Sequence, residues 1–173
     1  MQPPQKQASN VIDYFQDLSL LMLSIEVTDR QGKLQPFQAG ADAASQMICD
    51  IAASPRKIAL VGNGGSAAIV SHAQNDLCKT AGVRAMVFNE QPLLTALAND
   101  NGYGSVFEQP IQLWCEPGDL LITVSSSGQS ESIIRAIKAA ASKECKVITL
   151  SGFDPSNSSR GLGDLNFYVG SSV

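Results

Sequence analysis

Five short apolar runs, most of them followed by a turn and a helical stretch, constrain this chain more than any other feature. KIALVG (57–62), VRAMVF (83–88), DLLITV (119–124), KVITLSG (146–152) and DLNFYVG (164–170) lack the polar alternation of a sheet with one wet face. SAAIVSHAQNDLCK (66–79) and ESIIRAIKAAAS (131–142) read as helices, the second with Ile133, Ile134, Ile137, Ala140 and Ala141 turned inward. Shorter helical pieces, PLLTALAND and YGSVFEQPIQLW, bridge to the third run. Strands buried on both faces and separated by helices predict an α/β fold with a doubly wound, five-stranded parallel sheet. Right-handed crossovers in such a sheet place ligands at the carboxyl ends of its strands.

Ahead of this core, residues 1–54 read as a helical N-terminal segment and residues 55–173 as the domain proper. Val11, Phe15, Leu18, Met22 and Ile25 recur at three- and four-residue steps, predicting a helix over about 11–27. Leu20, Leu21 and Leu23 lie off that stripe, so the helix is expected to be covered on more than one side, by a partner subunit. TDRQGKLQP breaks it, a second helix follows over about 37–53, and Ser54-Pro55 ends that one.

The composition narrows the class of function. With 44% hydrophobic and 16% charged residues in 173, the chain is not a disordered one. Twelve basic against sixteen acidic residues argue against direct nucleic-acid binding. No apolar run approaches the roughly 20 residues of a membrane span, and the start MQPPQKQASN lacks a leader pattern, so a cytoplasmic protein without membrane partners is expected. Cys49, Cys78, Cys115 and Cys145 show no paired spacing and read as reduced, mostly buried thiols. His72 is the single histidine, which forbids any mechanism needing two from one chain.

Two strand-to-helix turns carry the chemistry. Ser125, Ser126, Ser127, Gly128, Gln129 and Ser130 precede the 131–142 helix, whose first N–H groups lack intrahelical partners. Serine hydroxyls beside such a helix start make a phosphate cradle, against the simpler reading that one serine caps the helix. The other turn, Gly62-Asn63-Gly64-Gly65-Ser66-Ala67, also fits the G-x-G-x-x-A dinucleotide pattern, with Glu90 as a late acidic partner. His72 and Asp76, four apart on one helix face, read either as a base or metal-ligand pair or as a surface hydrogen bond. Asn99-Asp100 is placed in a loop, as a sugar-hydroxyl contact or an Asx turn.

Together, VGNGGSAA…SH…D, LTALANDNGYGSVFEQPI, GDLLITVSSSGQSESIIRAIKAA and KVITLSG resemble the SIS (sugar isomerase) domain family over about residues 10–170. Within it the chain is similar to the phosphoheptose isomerases and to non-catalytic relatives that bind the replication initiator protein. The resemblance implies a flavodoxin-like strand order and conversion of sedoheptulose 7-phosphate to an aldose heptose 7-phosphate through an enediol, in heptose supply for lipopolysaccharide. It implies phosphate binding by Ser125, Ser126, Ser127 and Ser130, and sugar contacts from Asn63, Gly64, Gly65, Ser66, Asn99 and Asp100. His72 matches a zinc ligand of some members; Asp76 stands where the isomerases carry a glutamate that is the base and can bind metal. Zinc, no nucleotide cofactor, a phosphorylated sugar as ligand and a homotetramer with shared sites follow by the same resemblance. The alternative is a non-catalytic SIS regulator that binds a phosphosugar or a protein. It rests on aspartate at position 76 and on the expectation that the 55–173 domain lacks the family's C-terminal helix, which carries the second acid/base group.

Overall fold

The computed structural model describes residues 10–171. The first nine residues, which carry most of the stretch read for a leader, and the last two lie outside them. Helix α1 (Val11–Leu23) opens the chain, capped by the Asn10 side chain on the N–H groups of Ile12 and Asp13. Strands β1 (Glu26–Asp29) and β2 (Leu34–Gln35) form a hairpin, and α2 (Phe37–Ala52) follows. The core then runs β3 (Ile58–Gly62), α3 (Gly65–Lys79), β4 (Ala85–Val87), α4 (Gln91–Asn101), α5 (Glu108–Trp114), β5 (Leu120–Ser125), α6 (Glu131–Ser142), β6 (Lys146–Gly152) and β7 (Leu165–Val169).

The sheet order is β2-β1-β7-β6-β5-β3-β4. Its five expected strands, β3 to β7, are all parallel and lie in the flavodoxin-like order, second-first-third-fourth-fifth along the core. The sheet has seven strands rather than five, because β1 pairs antiparallel with β7, Val27 opposite Phe167, and β2 pairs with β1. The stretch expected to be helix and then a break is therefore partly sheet. Helix α1 stops at Leu23, where the Ser24 hydroxyl donates to the Leu21 carbonyl at 2.8 Å. Asp29 then turns the chain, its carboxylate accepting from the N–H groups of Gln31 and Lys33 at 3.0 and 2.9 Å. The hairpin covers the edge that β7 would otherwise expose.

Alternate residues of each central strand enter opposite core layers, which explains their unbroken apolarity. Ile58, Leu60, Leu120 and Ile148 pack under α2 and α3 with Ile51 and Val70. Ala59, Val61, Leu121 and Val147 pack under α5 and α6 with Phe107, Ile111, Ile133 and Ile137. Cys115 and Cys145 are buried there, whereas Cys49 and Cys78 are exposed, so burial holds for two of the four thiols. At the amino ends of the strands, buried Asp119 accepts from the Lys57 and Glu116 N–H groups at 3.0 and 2.8 Å and pairs with the Lys57 ammonium at 2.7 Å. That leaves the carboxyl ends of β3 and β5 as the open end.

Helix α1 contributes nothing to this core. None of its residues is buried, and Val11, Ile12, Phe15, Leu20 and Leu23 are each more than half exposed. Among the described residues, no helix is long and apolar enough to cross a membrane.

Candidate phosphosugar site

The chain leaves β3 toward β4 on one side and later returns to β5 on the other. The strand order therefore reverses between β3 and β5, and the loops after them part to leave a crevice. A cleft of about 350 Å³ sits there. Asn63 and Ser66 form its wall from the glycine turn, and Ser125, Ser126, Ser127 and Ser130 its wall from the serine turn. Val124 and Phe153 complete the lining, and none of the eight lining residues is charged.

Local structure accounts for each wall. Gly64 starts α3 with φ at +55°, a left-handed turn that glycine adopts without a steric penalty. The N–H groups of Ser66 and Ala67 then close back on the carbonyls of Asn63 and Gly64, each at 3.0 Å. Gly64 and Gly65 thus shape the turn through their backbones, while the side chain of Asn63 is held from both ends. Its amide donates to the Ser132 hydroxyl at 3.0 Å, and its carbonyl accepts from the Tyr103 hydroxyl at 2.9 Å. The serine turn is folded by its own hydroxyls: Ser125 accepts from the Gly128 N–H and Ser127 from the Gln129 N–H, both at 3.2 Å. Ser130 occupies the N-cap position of α6 yet makes no capping hydrogen bond through its side chain. Capping therefore does not account for Ser130, and its hydroxyl lines the cleft beside the helix start. An anion bound here would meet hydroxyls, backbone N–H groups and the positive end of the α6 dipole.

A second loop supports the first. Asn157, buried in the connection between β6 and β7, donates to the Ser151 hydroxyl at 3.2 Å and the Asp154 carbonyl at 2.8 Å. Its carbonyl oxygen accepts from the Ser159 hydroxyl at 2.9 Å, and the Ser159 N–H donates to the Gly128 carbonyl at 3.0 Å. Beside it, the Ser156 hydroxyl and N–H hold the Asp154 carboxyl below the usual carboxylate range.

The remaining expected residues lie elsewhere. His72 and Asp76 are on an exposed flank of α3, outside the cleft lining, with Nε2 and Oδ2 3.5 Å apart. They offer two donors where zinc takes four ligands, and no group of three or more candidate ligands occurs among the described residues. Among the described residues, one chain thus supplies two of the four ligands at this flank. Asn99 and Asp100 are not in a loop but in the last turn of α4, the Asn99 amide donating to the Asp100 carboxylate at 2.8 Å. Helix α4 has proline in its first turn and ends at Gly102 with φ at +80°, so its cap signals fall one turn later than the expected boundary. Tyr103, Ser132, Phe153 and Asn157 were not singled out by the sequence; only the proximity of Tyr103 to Asn99-Asp100 hinted at one of them.

Comparison with known proteins decides the family. A profile described as the SIS domain matches residues 25–152. The chain belongs to the SIS domain family. The matched SIS segment runs from the start of the β1 hairpin to the end of β6. A phosphoheptose isomerase of Aliarcobacter butzleri is 34% identical over 142 residues, covering 79% of this chain and 75% of that protein. The structure of a phosphoheptose isomerase from Neisseria gonorrhoeae is 27% identical with a TM-score of 0.73, over 92% of this chain and 82% of that one. One from Francisella tularensis is 20% identical with a TM-score of 0.80, over 96% and 86%, and shows the shared fold.

Proposed function

We propose that this SIS protein is a cytoplasmic aldose–ketose isomerase of the phosphoheptose type, acting on sedoheptulose 7-phosphate. The observation that carries the reading is the uncharged, serine-lined cleft at the point where the strand order reverses. The likeness to proteins named phosphoheptose isomerase supports the substrate. Ser125, Ser126, Ser127 and Ser130 hold the phosphate, and Asn63 and Ser66 face the carbon chain beyond it. Asp76 removes a proton from C1 of the ketose, the C–H electrons form the C1–C2 double bond, and the C2 carbonyl electrons move to its oxygen, which takes up a proton from solvent to give the enediol. Delivery of a proton to C2 and loss of the C1 hydroxyl proton then yield the aldehyde. Holding the phosphate fixes the register of the carbons, an effect worth several kcal/mol of barrier. In D2O, the purified protein should convert sedoheptulose 7-phosphate to the aldose with deuterium entering at C2, followed by NMR. Binding without exchange or conversion would move the protein to the regulator reading, which the exposure of His72 and Asp76 favours.

The assembly belongs to the same proposal. Helix α1 presents apolar residues all round and buries none of them, the surface of a helix that packs on other copies. We expect a homotetramer, with a mass by light scattering near four times 18.3 kDa. Leu20→Glu with Leu23→Glu should reduce that mass while leaving far-UV circular dichroism unchanged. A monomeric wild-type chain would overturn the proposal.

A further inference from the structure

Phe153 lines the phosphate end of the cleft as its only aromatic residue, and its backbone is left-handed, with φ at +57°. Among the described residues, only Glu144 shares that feature without being glycine. A bulky side chain persists in such a conformation only where its surroundings over-determine it, and such sites cluster at ligand clamps. The surroundings here are elaborate. Just before it, the Gly152 N–H donates to the Ser126 carbonyl at 3.0 Å, tying the end of β6 to the serine turn. The Phe153 carbonyl accepts from the Tyr168 hydroxyl at 2.7 Å. Burial pushes the Tyr168 phenol up, so it stays a donor across the ordinary pH range. The Arg160 guanidinium stacks 4.3 Å from the Tyr168 ring centroid and is itself paired with Glu26 of the hairpin. Glycine or asparagine would relax the backbone at 153, but neither would supply a ring to the cleft wall.

We propose that Phe153 is a specificity-determining residue whose ring packs on the C–H groups of the phosphorylated end of the ligand. It makes the site prefer an alkyl phosphomonoester, such as a sugar phosphate, over inorganic phosphate. Hydroxyls and N–H groups bind either anion, whereas an apolar ring discriminates between them, since only the ester brings C–H surface to bury beside the phosphate. This rests on the phosphosugar reading above.

Titration calorimetry with sedoheptulose 7-phosphate and with inorganic phosphate tests it. Phe153→Gly, which the positive φ accommodates, should weaken sugar-phosphate binding about tenfold and change inorganic-phosphate binding less than twofold. Its melting temperature should not fall, and Phe153→Tyr should restore the preference. Equal loss for both ligands would make the ring a prop for the serine turn and overturn the proposal, as would no loss for either. A wild-type protein that binds neither ligand would instead sink the phosphosugar reading itself.

Discussion

Gly128→Ala is expected to weaken sedoheptulose 7-phosphate binding about 100-fold and to destabilise the protein by about 3–5 kcal/mol. Gly128 sits in the serine turn with φ at +59°, where an alanine costs roughly 1–2 kcal/mol in backbone strain alone. The larger effect is spatial. A Cβ at this position would stand 2.0 Å from the Asn157 carbonyl oxygen and 2.7 Å from the Ser159 hydroxyl. Neither neighbour is the loose end of a surface side chain: both are buried, and Asn157 is held by Ser151, Gly152 and Asp154. Moving it breaks hydrogen bonds whose partners are left dry, at about 1–3 kcal/mol each. Moving the serine turn instead pulls its donors off the phosphate, and losing two charge-assisted hydrogen bonds accounts for a factor on the order of 100. Calorimetric titration and urea unfolding measure the two effects separately. Gly161→Ala is the control, because nothing lies within 4 Å of its Cβ position and its φ is not in the left-handed region; it should change stability by about 0.5 kcal/mol or less. Wild-type affinity in Gly128→Ala would mean that the serine turn does not hold the ligand.

That contact also marks the limit of what the sequence could reveal. Both walls of the cleft were legible, because an apolar run ending in glycines or serines before a helix has one sensible placement in a parallel sheet. The bracket behind the serine wall was not. Asn157 meets Gly128 across 29 positions, and FDPSNSSRG reads as a string of turn residues with no period to say where it folds. The β1–β2 hairpin escaped for a related reason: strands of four and two residues are too short to show alternation, and the apolar stripe of α1 runs straight into them. Helix spacing showed that His72 and Asp76 share a face but not which way that face turns. Val70 is buried and Ala73 and Leu77 pack against the core, which leaves the flank carrying His72 and Asp76 outside. Periodicity locates a stripe relative to its own helix; only packing locates it relative to a site.

Asp76→Asn is expected to lower kcat/KM for sedoheptulose 7-phosphate by about 100- to 10,000-fold, the range that general acid–base groups contribute. The phosphate affinity should stay within about twofold, because Asp76 does not line the cleft and exposed substitutions seldom disturb distant packing. Asparagine keeps the size and the hydrogen-bonding reach of the side chain toward His72 while removing its basicity. In one chain the Asp76 and His72 side chains are 59% and 78% exposed, and a carboxylate in open water is a poor base for a carbon acid. As the proposed base, Asp76 needs this flank covered, and the proposed tetramer would supply that cover from another copy. The assembly variant at Leu20 and Leu23 should therefore lose turnover while keeping inorganic-phosphate binding. Asp76→Glu, one methylene longer, distinguishes reach from charge: it should retain far more activity than Asp76→Asn, since the carboxylate survives. Asp76→Asn and Asp76→Glu turning over equally well would remove Asp76 from the mechanism and leave the cleft as a binding site without this base.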